Sequence, residues 1–244
     1  MFLPYKTTTS INLGASIATL GKRTLLVDID PQGNTTSGLG VNKADVPACI
    51  YDVLVNDTPM KQVITPTCVE NLDIVPATIQ LAGAEIELVQ VISREKRLKQ
   101  ALQPLIEQYD YILIDCPPSL GVITINALTA AHTVFIPIQC EFYALEGLGQ
   151  LLNTIRLVQR HLNKGLEIEG VLLTMFDSRT NLSLQVMEEV KKYFQEKVYE
   201  TMIPRNVRLS EAPSHGLPIL SYDRRSKGAQ CYLDLAKEVI QNGE

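Results

Sequence analysis

Apolar residues gather along this chain in short dense runs, and longer stretches of mixed character separate the runs. The runs TLLVDI (residues 24–29), LDIVP (72–76), YILID (111–115), TVFIPI (133–138), GVLLTM (170–175) and residues 198–203 are predicted as buried strands. Between them, helical spacing of apolar positions predicts helices over 7–20, 79–91, 94–108, 122–130, 146–162, 182–195 and 228–241. Strands that are apolar throughout and alternate with helices indicate an α/β fold: a three-layer arrangement with a mostly parallel sheet flanked by helices. No repeat or linker interrupts the pattern, so residues 1–244 are expected to form a single domain.

In such a sheet a ligand binds outside the carboxyl ends of the strands, and the polar residues at those ends carry the candidate chemistry. The strand 24–29 ends in Asp28 and Asp30 and runs into PQGNTTSGLG, with one carboxylate expected to face a ligand and the other to support the turn. YILID ends in Asp115 and runs into CPPS, the pattern of a carboxylate that holds a magnesium-bound water. Gln139, Cys140 and Glu141 follow a third strand. At the start, Lys6-Thr7-Thr8 opens a predicted helix, where backbone N–H groups and the helix dipole favour an anion. Alone, a lysine followed by threonines is ordinary capping chemistry; beside the two acidic strand ends it reads as the end of a phosphate-binding loop.

Composition narrows the classes. The chain is 45% apolar with a net charge of −5, and no apolar run reaches the roughly 18 residues of a membrane-spanning helix. A cytoplasmic protein is expected. Its five cysteines form no C-x-x-C pair and are expected to be reduced, mostly buried thiols. The three histidines, His132, His161 and His215, show no metal-ligand spacing. Arg205, Arg208, Arg224, Arg225 and Lys227 outnumber nearby acids, so one local face can be basic in an acidic chain.

The stretches DIDPQGNTTSGLG, VPATIQLAGAEIEL, YILIDCPPSLG, QCEFYALEGLGQLLNTI and IPRNVRLSEAPSHG, in this order, resemble the ParA/Soj family of partitioning ATPases, P-loop proteins of the deviant Walker A group that includes MinD. The resemblance runs from Lys6 to the C-terminus. It implies ATP and Mg²⁺ as cofactors, an ATP-bound homodimer, non-specific DNA binding, association with the nucleoid, and hydrolysis stimulated by a ParB-type partner. By position it implies that Lys6 holds phosphates with Thr8 nearby, Thr7 binds Mg²⁺, Asp30 positions the attacking water and Asp115 is the Walker B carboxylate. Pro204, Arg205 and Asn206 match the adenine-side wall, with Asp177 near it. Arg179 and Arg208 match positions where the family carries basic residues for DNA.

The beginning departs from the family pattern K-G-G-x-G-K-T. Its signature lysine falls on Met1, its glycines on Phe2, Leu3 and Tyr5, and its variable position on Pro4. Side chains forced to positive φ cost about 1–2 kcal/mol each, and a lost charged hydrogen bond about 1.5–3 kcal/mol. Half of these terms give roughly 3 kcal/mol, or about two decades of affinity. The central strand before the loop also has no counterpart, so neighbouring strands are expected to face an open gap. The chain is accordingly expected to be a truncated or mis-started form of a longer protein.

Three other functions fit parts of the pattern. A non-catalytic interaction protein would keep the DNA and partner surfaces without nucleotide switching. A MinD-like membrane protein would need a basic amphipathic end, whereas this chain ends AKEVIQNGE. An iron–sulfur protein would need Cys116 and Cys140 to converge at a dimer axis.

Overall fold

The computed structural model describes residues 5–141 and 146–243. The first helix, α1 (Tyr5–Thr19), leads into β1 (Thr24–Asp28), whose five residues are all buried. Short helices α2 (Asn34–Gly38) and α3 (Ile50–Val55) follow, then a two-residue strand β2 (Thr65–Pro66) and β3 (Leu72–Val75). Helices α4 (Leu81–Glu87) and α5 (Arg97–Leu102) precede β4 (Tyr111–Asp115); α6 (Val122–Ala130) precedes β5 (Thr133–Gln139). Next come α7 (Glu146–His161), β6 (Glu167–Thr174), α8 (Asn181–Phe194), α9 (Val207–Glu211), α10 (Ile219–Tyr222) and α11 (Lys227–Gly243).

Side-chain alternation divides the interior into two faces. Leu25, Val27 and Ile29 pack with α3, α4 and α5, with Ile112 and Ile114 of β4 against the same cluster. On the opposite face Leu26 packs with Ile11, Ala15 and Ala18 of α1. Leu13 and Ile17 of α1 meet Tyr232, Leu235 and Ala236 of α11, with Leu113 and Phe135 beneath them. A further cluster joins Ile136 and Ile138 of β5 to Ile155 and Val158 of α7 and to Val186 and Val190 of α8.

The sheet is interrupted. Strands run in the order β2-β3-β1-β4 in one sheet and β5-β6 in another, and every pair is parallel except β2 with β3. The break falls between β4 and β5, so among the described residues each of these two strands is the edge of its own sheet. The first four residues of β4 are only half-buried, unlike those of β1. Helices span the break on both sides. α1 contacts both β4 and β5, while α6 puts Ile123 and Ala127 into one cluster and Leu128 into the next. The expected discontinuity is therefore present. Met1–Pro4, where the signature lysine, two of the three glycine positions and the variable position fall, lie outside the described residues, as do residues 142–145 and Glu244.

Residues 198–203 do not form a strand. They touch β6 through one isolated bridge, Val171 to Val198, and the N–H groups of Tyr199 and Ile203 donate to Val171 and Leu173. Between them the N–H groups of Glu200 and Thr201 donate instead to the Glu238 carboxylate on α11, at 2.7 and 3.1 Å, which takes them out of any ladder. The helix expected over 94–108 shrinks to α5 with 3₁₀ turns at both ends, the second containing Pro104, which has no N–H to donate. The stretch 79–91 likewise closes as α4 and a 3₁₀ turn.

Candidate nucleotide site

Thr7 and Ser10 lie one turn apart on α1 and share a face. Both donate to the carboxylate of Asp115 at the end of β4: Thr7 Oγ1 to Oδ2 and Ser10 Oγ to Oδ1, each at 2.9 Å. Thr35 Oγ1 of α2 adds a third hydroxyl, to Oδ2 at 2.7 Å. Asp115 is 2% exposed; burial raises its carboxyl pKa, while the three hydroxyls and nearby Asp30 act in opposite senses. The three hydroxyls already hold both of its oxygens.

The loop behind β1 is built on the other two acids. Asp28, fully buried, accepts from Thr36 N and Thr36 Oγ1 at 2.9 and 2.7 Å and from Asp30 N at 3.1 Å. Thr36 Oγ1 in turn accepts from Ala77 N at 2.9 Å, tying α2 to the end of β3. Asp30 accepts from Gln32 N at 2.9 Å, and its carbonyl accepts from Gly33 N at 2.8 Å. Asp28 is thus held by three donors, whereas among the described residues the Asp30 carboxylate accepts from Gln32 N alone. Gly33 has φ 60°, and a Cβ there would lie 2.7 Å from the Ala77 carbonyl oxygen, so only glycine fits. Burial, then the charge of Asp115, pushes the Asp28 carboxyl up to about 7.

Lys6 stands on the first turn of α1, half-buried, with no ion pair among the described residues. Its charge acts on the neighbouring Cys116, whose thiol burial pushes up to about 12. Burial likewise pushes the Cys140 thiol up to about 12. Thr8 follows two residues after Lys6 on α1, and its carbonyl accepts from Asn12 Nδ2 at 2.8 Å.

The second group of expected residues meets at the end of β6. Phe176 bridges to Pro204, which places Asp177 beside Arg205 and Asn206. Arg205 pairs with Glu141 at 3.0 Å, and Asn206 caps α9 by accepting from Arg208 N at 2.9 Å. Arg179, 86% exposed, clasps Asp177 through Nε and Nη2 at 2.9 and 2.7 Å and holds that carboxyl down at about 2. Arg208 pairs with Glu211 at 2.9 Å and with Asp223 at 3.6 Å. The two arginines expected at DNA are thus both exposed and both neutralised by acids of the same chain. Sequence reasoning missed Ser10, Thr35 and Thr36; Ser10 was findable from its spacing to Thr7, whereas the threonine pair becomes meaningful only once α2 folds over the acids.

A family model described as an AAA domain matches residues 5–168. The chain is 71% identical over 238 residues to the sporulation initiation inhibitor protein Soj of Bacillus subtilis, covering 98% of this chain and 94% of that protein. It belongs to the ParA/Soj family of chromosome partitioning ATPases. Among solved structures, the cobyrinic acid a,c-diamide synthase of Mycobacterium smegmatis with bound ADP and magnesium is 39% identical, with a TM-score of 0.86, covering 98% of this chain and 90% of that one. The septum site-determining protein MinD of Pyrococcus horikoshii, complexed with Mg-ADP, is 26% identical with a TM-score of 0.80, covering 98% and 92%. These relatives share the fold with this ParA/Soj chain, and their nucleotide and magnesium accord with the ATP and Mg²⁺ expected from sequence.

The residues present suit that metal. Magnesium takes oxygen ligands and keeps waters and substrate phosphates in its shell, and Asp115 with the Thr7 hydroxyl offers oxygens at the anion-attracting end of α1. The described residues contain no cage of three His, Cys, Asp or Glu side chains, so phosphate and water would have to complete the shell. No described helix is long and apolar enough to cross a membrane.

Proposed function

We propose that this chain is one ParA-type ATPase domain that binds Mg-ATP in the crevice at the carboxyl ends of its strands and partitions DNA. The observation that carries the reading is the convergence of Thr7, Ser10 and Thr35 on Asp115. Few structural needs call for three hydroxyls around one buried strand-end carboxylate. A site that orients a metal-bound water does.

In this reading Lys6 and the first N–H groups of α1, with Thr8, hold the phosphates. Thr7 and Asp115 hold the magnesium, which neutralises phosphate charge. Asp30, at the mouth of the turn, orients the attacking water. Asp177, Pro204, Arg205 and Asn206 form the wall for the base. Two ATP-loaded copies would pair, and Arg179 and Arg208 from each would neutralise duplex phosphates without reading sequence. A ParB-type protein would stimulate turnover, on the nucleoid within the cytoplasm. The 71% identity to Soj favours partitioning over the synthase activity named for the Mycobacterium relative.

The break between β4 and β5 favours a second reading, a nucleotide-weakened relative that retains the DNA and partner surfaces. ATP turnover separates the two, measured with and without duplex DNA and a ParB-type protein. Stimulated turnover that Thr7→Ala and Asp115→Asn each reduce by about a hundredfold or more supports the ATPase. DNA binding with no turnover under any condition sinks it and leaves the second reading.

A further inference from the structure

The last residue of β5 carries an unmet hydrogen-bonding group. Gln139 is 9% exposed, and its Nε2 has no hydrogen-bond partner among the described residues. Buried side-chain donors are almost always satisfied, and a persistent exception asks for a reason. Its backbone is firmly placed: Gln139 pairs with Thr174 of β6, and the next N–H, of Cys140, donates to Thr174 O at 2.9 Å.

Alternation tells which way the amide lies. Val134, Ile136, Ile138 and Cys140 belong to the α7 and α8 side, whereas Phe135 packs on the α1 and α11 side. Gln139 shares the face of Phe135 and sits at the carboxyl end of the strand. That is the end where Thr7 of α1 meets Asp115. Two residues later Glu141 holds Arg205. Gln139 therefore lies in the crevice between the hydroxyl-carboxylate group of β4 and the group gathered around Asp177.

We propose that Gln139 is a ligand-contact residue whose amide N–H₂ donates to an oxygen of the nucleotide's phosphate chain. This rests on the Mg-ATP reading above. A phosphate oxygen is the acceptor that the surroundings favour. Gln139 shares the face of β5 that meets α1, whose N-terminal end and Lys6 attract an anion, and the carboxylate oxygens of Asp115 already accept from three hydroxyls. A neutral donor adds a charge-assisted bond there without placing a further charge beside Lys6. The orphaned donor is then a group left unsatisfied in the free protein so that it is available to the ligand, as happens at sites where stability is given up for function.

The test uses the full chain, with Gln139→Met, which keeps length and loses the donor, and Gln139→Glu, which keeps shape and can only accept when ionised. The melting temperature is measured without nucleotide, and the dissociation constant of a magnesium-bound non-hydrolysable ATP analogue by calorimetry. Expected is an unchanged or higher melting temperature for Gln139→Met, with affinity lower by about tenfold or more and lower still for Gln139→Glu. A lowered melting temperature in both variants with wild-type affinity shows a structural amide and overturns the proposal. Wild-type binding that neither substitution alters overturns the proposal alone, whereas a wild-type chain that binds no analogue overturns the Mg-ATP reading and this proposal together.

Discussion

Asp28 is the side chain whose chemistry the fold alters most legibly. In the unfolded chain its carboxyl ionises near 3.8; in the folded protein, buried and facing Asp115, it ionises at about 7. Between those values the native state holds a proton that the unfolded state has released, so stability is greatest at the acid side of that window and falls as pH rises through it. Across the whole window the loss amounts to about 4 kcal/mol at most. Asp28→Asn removes the ionisation and keeps an acceptor for Thr36. In metal-free buffer its melting temperature, relative to wild type, should rise from about pH 5 to about pH 8, a trend that a pH series by calorimetry reads directly. An unchanged difference across the series would mean that Asp28 stays ionised throughout.

At the scale of the element, the long strands and helices were legible because their pattern is local. β4 and α6 have the predicted bounds, and α1, α7, α8 and α11 agree with expectation to within a few residues. What escaped depends on distant partners. NTTSG is a poor helix-forming sequence, and α2 is held because the buried Asp28 carboxylate, eight residues earlier, accepts from the backbone N–H and hydroxyl of Thr36. Residues 198–203 look like a strand, but a glutamate on α11 claims two of their N–H groups. The candidate site was legible in its strand-end acids and its Lys-Thr, and illegible in the hydroxyls that hold them. The break in the sheet makes a prediction of its own. Amides on the facing edges of β4 and β5 have no ladder partner among the described residues and should exchange with solvent much faster than those of β1, which is paired on both sides. Residue-resolved hydrogen exchange checks this, and equal protection of β1, β4 and β5 would contradict it.

At the largest scale, two half-sheets are held together among the described residues by helices rather than by strands, with α1 and α6 as the cross-ties. With an acidic net charge of −5, the proposed attraction to DNA would have to come from a local face. Arg179 and Arg208 each sit in an intramolecular ion pair, and a duplex phosphate has to displace an acid to reach either one. If both contact DNA, log affinity against log salt should be linear, and Arg179→Ala or Arg208→Ala should make its slope shallower by about one per arginine per bound chain. Anisotropy titrations over a salt series measure it. Slopes identical to wild type would remove these arginines from the interface.

One small contact connects the two ends of this machinery. Gly40, in the turn after α2, has φ 80°, and Gly216, in the turn after α9, has φ 64°. A Cβ on Gly216 would lie 2.8 Å from the Gly40 Cα, and one on Gly40 would lie 3.0 Å from the Gly216 carbonyl oxygen. Bare backbone thus rests on bare backbone, with no side chain between to yield. The turn that follows α2 and the turn that follows α9 meet at two glycines, packed too closely for a Cβ on either. A side chain at either glycine would therefore prise the turn after α2 away from the turn after α9, so the join between these two turns is written in two absent Cβ atoms.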